Sequence, residues 1–467
     1  MQAFMNQNFL LKSDAAKKLY FEYAQHMPVV DYHCHIDPQE LYENKHYADM
    51  AELWLGTDHY KWRLMRVCGV DERYITGDAT GWEKFYAFAE ILPQAVGSPV
   101  FHWAYLELRR YFGCDAILNK DTAKEVWDFC NEKLKTDPSL RARGILEHSK
   151  VNILITTDDP IDSLEWHEKL KSDESFRCTV RPAFRPDNVL AVESPAFSDY
   201  VAKLSAAAQI NIRSFADLKA ALVRRLDHFN ACGCRTSDHS TNGLACLPAT
   251  EQEIDAILQQ GLSGQVPSAE DSKKYLYAVM RFLGEEYHKR GWSMELHFSV
   301  LRNVNTRCYE TLGINSGFDI INPSGSVSGI ESFLDELDKN DVLPNTLLFS
   351  LNPNDNAVIN TLAGSFCQAG VPGKVQQGSA WWFNDNIVGM VQQMTSFANL
   401  NALGNFLGML TDSRCLLSYA RHEYFRRIFC NLLGEYVQNG EYPADYETLG
   451  QITENVCYNN VLRFFGY

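Results

Sequence analysis

Eight short β-type runs recur along the chain, and a longer stretch with helical periodicity follows each of them. This alternation constrains the fold more than any other feature. The runs are "PVVDYHCH" (28–35), "VNILITTDD" (151–159), "CTVRPAFRPD" (178–187), "CGCRTSDHS" (232–240), "SMELHFSV" (293–300), "NTLLFSLN" (345–352), "GKVQQGSAWW" (373–382) and "NFLGMLTDSR" (405–414). Several are apolar or small-residue runs ending in polar residues, as buried parallel strands do when their C-terminal ends open into a site. The runs near 178, 232 and 373 carry the weakest pattern. Eight β/α units predict an α/β fold, a (β/α)8 TIM-type barrel with its active site at the C-terminal strand ends.

The spacing between runs is uneven. Ser13 is a good N-cap for a helix through "DAAKKLYFEYAQHM" to Pro28. Residues 1–36 therefore read as an N-terminal helix and the first barrel strand. Residues 37–150 are too long for a loop and include "SPVFHWAYLELRRYFG" and "TAKEVWDFCNEKLKT", so they read as a helical insertion over the barrel mouth. Residues 151–467 hold the rest of the barrel, with a smaller insertion near 241–290 and a helical tail after Arg414.

Bulk composition narrows the function classes. At 46% hydrophobic and 22% charged, the 467-residue chain is ordinary globular protein. No apolar run is long enough to span a bilayer. A formal net charge of −16 argues against a nucleic-acid or anionic-membrane partner, while leaving room for a small anionic substrate in a locally basic cleft. The 13 cysteines include no CxxC pair, the nearest being Cys232 and Cys234, so reduced and mostly buried thiols are expected. "MQAFMNQNFLLKSDAAKK" lacks the features of a secretory signal, and a cytoplasmic protein is expected.

Four residues stand out as candidate metal ligands. His33 and His35 in "DYHCH" are two apart, so on a strand they share a face. Asp412 in "TDSR" sits at the end of the eighth run, which neighbours the first if the barrel closes. His297 lies in the fifth run, followed by polar positions and Arg302. Together they form a nitrogen and oxygen set for one divalent metal such as zinc. Each also has a plainer reading: satisfied histidines for the three imidazoles, and a helix N-cap for Asp412.

These motifs, with "DHYKWRLMR" (58–66), "FRPD" (184–187), "CRTSDH" (234–239), "LHFSVLRNVN" (296–305) and "WWFNDN" (381–386), resemble those of the uronate isomerases in the amidohydrolase superfamily. The resemblance spans residues 8–465. It implies interconversion of D-glucuronate with D-fructuronate and of D-galacturonate with D-tagaturonate, through a cis-enediol. It implies a small hexuronate substrate and, for a large barrel enzyme, a homo-oligomer. His59 and Tyr60 are implied as the proton-transfer and enediol-stabilising pair, although "DHY" alone reads as a surface turn. Arg185 is implied as the carboxylate binder, helped by Arg63 and Arg66, with a salt bridge to Asp187 as the plainer reading. Arg302 and Trp381 are implied at the substrate, and Arg414 beside Asp412 at the enediolate charge. Trp382 and Phe383 are expected in the core, because adjacent aromatics usually pack.

The fourth run has no lysine or glutamate, and no histidine occurs between His297 and His422. The usual parts of a two-metal bridge are therefore missing, and a single-metal site is expected. A mononuclear metal-dependent hydrolase or deaminase on the same barrel is the alternative, and a non-catalytic sugar-acid binder is a second.

Overall fold

Ser13 starts the first helix. Its backbone is extended and its hydroxyl accepts from Ala16 N–H, opening Asp14–Glu22. The helix ends at Tyr23, and the tighter turn Ala24–His26 leads to Pro28. Arg426 holds that turn by donating to the carbonyls of Ala24, Met27 and Pro28.

The computed structural model describes residues 3–241, 243–324 and 327–467. Met1, Gln2 and Asn242, which begin or interrupt the segments 1–36 and 241–290, lie outside the described residues. Seven strands form one parallel sheet in chain order: β1 (Val29–Asp31), β2 (Val151–Asp158), β3 (Thr179–Phe184), β4 (Thr236–Ser240), β5 (Ser293–Phe298), β6 (Thr346–Ser350) and β7 (Val375–Gln377). Along β4 and β5 the register pairs Asp238 with Glu295 and Ser240 with His297, which brings these polar side chains to one end of the sheet. Every residue of β5 is buried.

The eighth run, 405–414, closes the barrel without forming a regular strand. Gly408 (φ +72°) and Asp412 (φ +48°) take left-handed backbone there, which interrupts the pleat. The run still bonds to the first strand's end. Asp412 N–H donates to the His33 carbonyl (3.0 Å), and His35 N–H donates to the Ser413 carbonyl (2.9 Å). The Thr411 amide and hydroxyl both donate to the buried Asp31 carboxylate (2.8 and 2.5 Å). The result is a (β/α)8 barrel with one irregular stave.

Between β1 and β2 the chain is built of helices, from Pro38–Tyr42 to Ala142–His148. Their buried residues Trp54, Phe85, Phe88, Trp103 and Phe112 share one apolar cluster with Leu19 of the first helix and with Phe425 and Phe429 of the C-terminal helix Ala420–Gln438. The insertion and the barrel flank are thus held by a common core. In the 241–290 stretch, Tyr275, Met280 and Leu283 of the helix Ala269–Lys289 share one apolar cluster with Leu218, Leu222 and Phe229 of Phe215–Ala231. The tail past Arg414 is largely helical through Phe465.

One feature has no periodic signal in the sequence. Residues 299–322 form a short antiparallel ladder, Val300–Leu301 against Ile320–Ile321, enclosing the helix Thr306–Leu312. This hairpin leans over the barrel mouth. Among the described residues, no helix is long and apolar enough to cross a membrane.

Candidate active site

A cavity of about 550 Å³ opens at the C-terminal strand ends. Its lining includes His33, His35, His59, Arg185, His297, Arg302, Trp381, Asp412 and Arg414. Nine of the twelve residues expected at the site therefore meet in one place. Tyr60 stands behind the wall: it stacks on His59 (5.0 Å between ring centres) and lies beneath the Arg421 guanidinium.

Two overlapping sets of metal-ligand atoms share His33. In one, His33, His35 and Asp412 come together, with Asp412 Oδ1 3.1 Å from His35 Nε2 and 3.5 Å from His33 Nε2. In the other, His33 joins Asp238, Glu295 and His297. His33 Nδ1 lies 3.3 Å from Glu295 and 4.0 Å from Asp238. The four ligands expected from the sequence straddle these sets, with the His33 and His297 rings 4.6 Å apart.

The electrostatics of this floor call for a cation. Asp238 and Glu295 are fully buried and Asp412 nearly so. Burial pushes the Glu295 carboxyl up to about 7, even beside His33. Asp238 is also penalised by burial, but Arg185, His33 and His297 outweigh this and hold it well below the usual range. Burial likewise opposes ionisation of Asp412, and His33 and His35 overcome it. His33 is itself driven well above its ordinary value, because Asp238, Asp412 and Glu295 outweigh its burial. His297 Nδ1 lies 2.8 Å from Asp238 Oδ1 and Glu295 Oε2 lies 3.3 Å from His33 Nδ1, which leaves His297 Nε2 buried without a hydrogen-bond partner. A buried imidazole nitrogen left unpaired beside several buried carboxylates fits a metal ion.

The rest of the wall is basic and aromatic. Arg185 is braced by Asp187 (Nε to Oδ2, 2.8 Å) and Asp238 (Nη1 to Oδ2, 2.9 Å), so the salt bridge to Asp187 exists alongside its place in the lining. Arg302 pairs with Asp319 (3.0 Å) on the hairpin. Arg414 makes no ion pair or side-chain hydrogen bond among the described residues. Burial, with Arg185 and Arg302 close by, lowers its pKa, although Asp412 opposes this. Trp381 donates its indole N–H to Asp412 Oδ2 (2.7 Å). The His297 ring lies flat on Phe349, 4.4 Å away.

A family model described as "Glucuronate isomerase" matches residues 1–465. The chain is 50% identical over 467 residues to a uronate isomerase of Lachnospira eligens and 48% identical over 467 residues to one of Endomicrobium trichonymphae; each alignment covers all of both chains. The chain belongs to the uronate isomerase family. A crystal structure of the uronate isomerase from Thermotoga maritima superposes on this isomerase with a TM-score of 0.93 at 33% identity, covering 99% of this chain and 100% of that one. The hydrolase or deaminase alternative is not favoured.

Two expectations about individual residues need correction. Arg63 and Arg66 do not line the cavity. Arg63 donates to the carbonyls of Gly317 and Asp319, and Arg66 to that of Ser316 and to Glu72, so they clasp the hairpin to the insertion. Trp382 is buried in an apolar core cluster, as expected, and it also lines the cavity, where its ring meets that of His59 edge-on. Asp412 caps no helix, because the next helical turn begins only at Leu416.

Several further residues of the isomerase meet at the cavity and its floor. Asp238 and Glu295 sit in strands whose register had first to be known. Asn303, Asn315 and Asp319 reach the cavity on the hairpin. A buried strand written "TSDHS" was the available signal for Asp238, because polar residues at fully buried positions need partners.

Proposed function

We propose that the isomerase interconverts D-glucuronate with D-fructuronate, and D-galacturonate with D-tagaturonate, in this cavity through a cis-enediol. The observation that carries this reading is the convergence of Asp412, His59 and three arginines on one cavity above a histidine and carboxylate floor. The donor set fits one zinc ion held by His33, His35, His297 and Asp412, with Asp238 orienting His297. When bound, the metal supplies positive charge that polarises the sugar oxygens.

The chain's own residues carry the proton transfers. Asp412, positioned by Trp381, accepts the proton of the anomeric hydroxyl as the C1–O5 bond breaks and the pyranose opens, and that proton is returned to O5. His59 takes the C2 proton and delivers one to C1. Burial, followed by the charge of Arg414, lowers its pKa to about 4, so its imidazole is neutral and able to accept. Tyr60 backs the His59 ring by stacking, and burial keeps its phenol protonated. The unpaired Arg414 guanidinium stabilises the enediolate oxygen, a charge that develops during reaction. Arg185, already aligned by two carboxylates, and Arg302 receive the substrate carboxylate, which suits a guanidinium fork.

The protein is proposed to work in the cytoplasm as a homo-oligomer, the latter measurable by sedimentation. Incubation with D-glucuronate in deuterated water, followed at C1 and C2 by proton NMR, tests the activity. Ketose signals are expected; an unchanged spectrum with metal-loaded protein refutes the proposal.

A further inference from the structure

A third group of potential metal ligands lies away from the barrel mouth and has no part in the chemistry above. Glu168 sits on the helix Glu165–Lys171, and His228 lies on the helix Phe215–Ala231, with Cys232 at its C-terminal cap. One ligand atom from each of the three lies within 4.8 Å of the other two. None of these residues lines the catalytic cavity. We propose that Glu168, His228 and Cys232 form a second site, for a divalent cation of the zinc class, that ties these two outer helices together.

The residue types and their spacing fit that role. His228 and Cys232 are four apart, so a helical turn presents both on one face. Thiolate, imidazole and carboxylate together suit a borderline-soft cation, and water completes four-coordination. The His228 Nε2 lies 2.9 Å from the Ser163 carbonyl. Because that carbonyl can only accept, the bond fixes Nε2–H and leaves the Nδ1 lone pair free, the carbonyl–histidine–metal arrangement of many metal sites. Cys232 is 5% exposed, and its Sγ lies 3.8 Å from Glu168 Oε1.

The neighbouring cations do not occupy the place. Lys171 is committed to the Ala231 carbonyl (3.0 Å), and Arg225 to the carbonyls of Pro160 and Asp162 (2.7 Å each).

Sulfur separates this site from the catalytic one. The catalytic floor has only nitrogen and oxygen donors, and the Cys34 thiol between His33 and His35 turns away to the Ile155 carbonyl (3.2 Å). The reduced full-length protein is therefore titrated with Cd²⁺, and the ultraviolet thiolate-to-cadmium band is followed. A Cys367→Ser background removes an exposed thiol. One band saturating at one ion is expected, lost in Cys232→Ser. Half-saturation should move at least about tenfold higher in His228→Ala and in Glu168→Ala, with isomerase activity retained. These two variants keep the buried thiol, so the test stands even if Cys232→Ser fails to fold. No band in the parent protein, a full band in Cys232→Ser, or unchanged half-saturation in both other variants overturns the proposal.

Discussion

Lys61→Met tests what holds His59 at the cavity. The helix His59–Val67 begins at Asp58, whose Oδ1 accepts from the backbone N–H groups of Tyr60 (3.0 Å) and Lys61 (3.2 Å). Asp58 Oδ2 accepts from Lys61 Nζ at 2.5 Å, and the same ammonium lies 3.3 Å from Glu107 Oε2. Lys61 is only 1% exposed, and Glu107 also accepts from the Trp54 indole. Burial pushes the Glu107 carboxyl up despite Lys61, whereas at Asp58 the Lys61 charge outweighs burial and holds the pKa down.

Methionine keeps most of the stem and removes the charge, leaving two buried carboxylates with no counterion. Breaking a buried pair in this way costs about 3–5 kcal/mol. The sign of the pH dependence follows from the two states. In the wild type, the depressed Asp58 contributes stability above its unfolded pKa, which is lost as pH falls through the folded value. In the variant both folded carboxyls lie above their unfolded values, so their cost is absent below the unfolded range and grows as pH rises through the folded one. The stability gap between the proteins, read from urea melts, is therefore expected to be wider at about pH 8 than at about pH 5. kcat/KM should also fall, by up to about a hundredfold for a misplacement of about 1 Å at His59. The neutral triple variant Asp58→Asn, Lys61→Met, Glu107→Gln should recover most of the stability. A loss below about 1 kcal/mol, or one that does not vary with pH, refutes this account of the cluster.

Four further outcomes are expected. Asp412→Asn and His33→Ala should each lower kcat by at least about a hundredfold, the scale on which a general base acts, and His33→Ala should also lower the metal content measured after dialysis. Arg185→Lys should raise KM for uronates by about tenfold in steady-state assays, because lysine cannot reproduce the guanidinium fork. Asp158, which burial pushes up to about 8 from 3.8, weakens the fold increasingly as pH rises between those values. Asp158→Asn should therefore melt higher than wild type by an amount that grows from about pH 4 to about pH 8 and then levels off. Gly408→Ala should cost at least about 2 kcal/mol in denaturant melts, because φ is +72° and an added Cβ collides with the Val456 carbonyl oxygen.

The parts of the barrel legible in the sequence are those whose cause is local. β2, β5 and β6 are apolar runs of five to eight residues, long enough for composition to declare them. His33 and His35 lie just past the end of β1, so the strand period expected for them does not apply, yet both line the cavity. The eighth run placed Asp412 correctly, but its irregular backbone was hidden, because left-handed φ at an aspartate leaves no mark on the residue pattern. That same backbone lets Asp412 sit 3.1 Å from His35 and accept from Trp381, so the departure from strand geometry shapes the candidate site. Asp238 and Glu295 were missed for a different reason. Each is an ordinary polar residue until the β4–β5 register sets Asp238 opposite Glu295 and the fold brings His33 between them. Arg63 and Arg66 show the converse, since charge near a motif does not say which way a long side chain turns, and here both turn to the hairpin carbonyls. That hairpin, held by strands of two residues, carries no period that a sequence can display. Yet it brings Asn303, Asn315 and Asp319 to the cavity, and Asp319 fixes Arg302. The proposed role of Arg302 therefore rests partly on a loop that the arginines of a different insertion hold in place, a dependence that only the folded chain reveals.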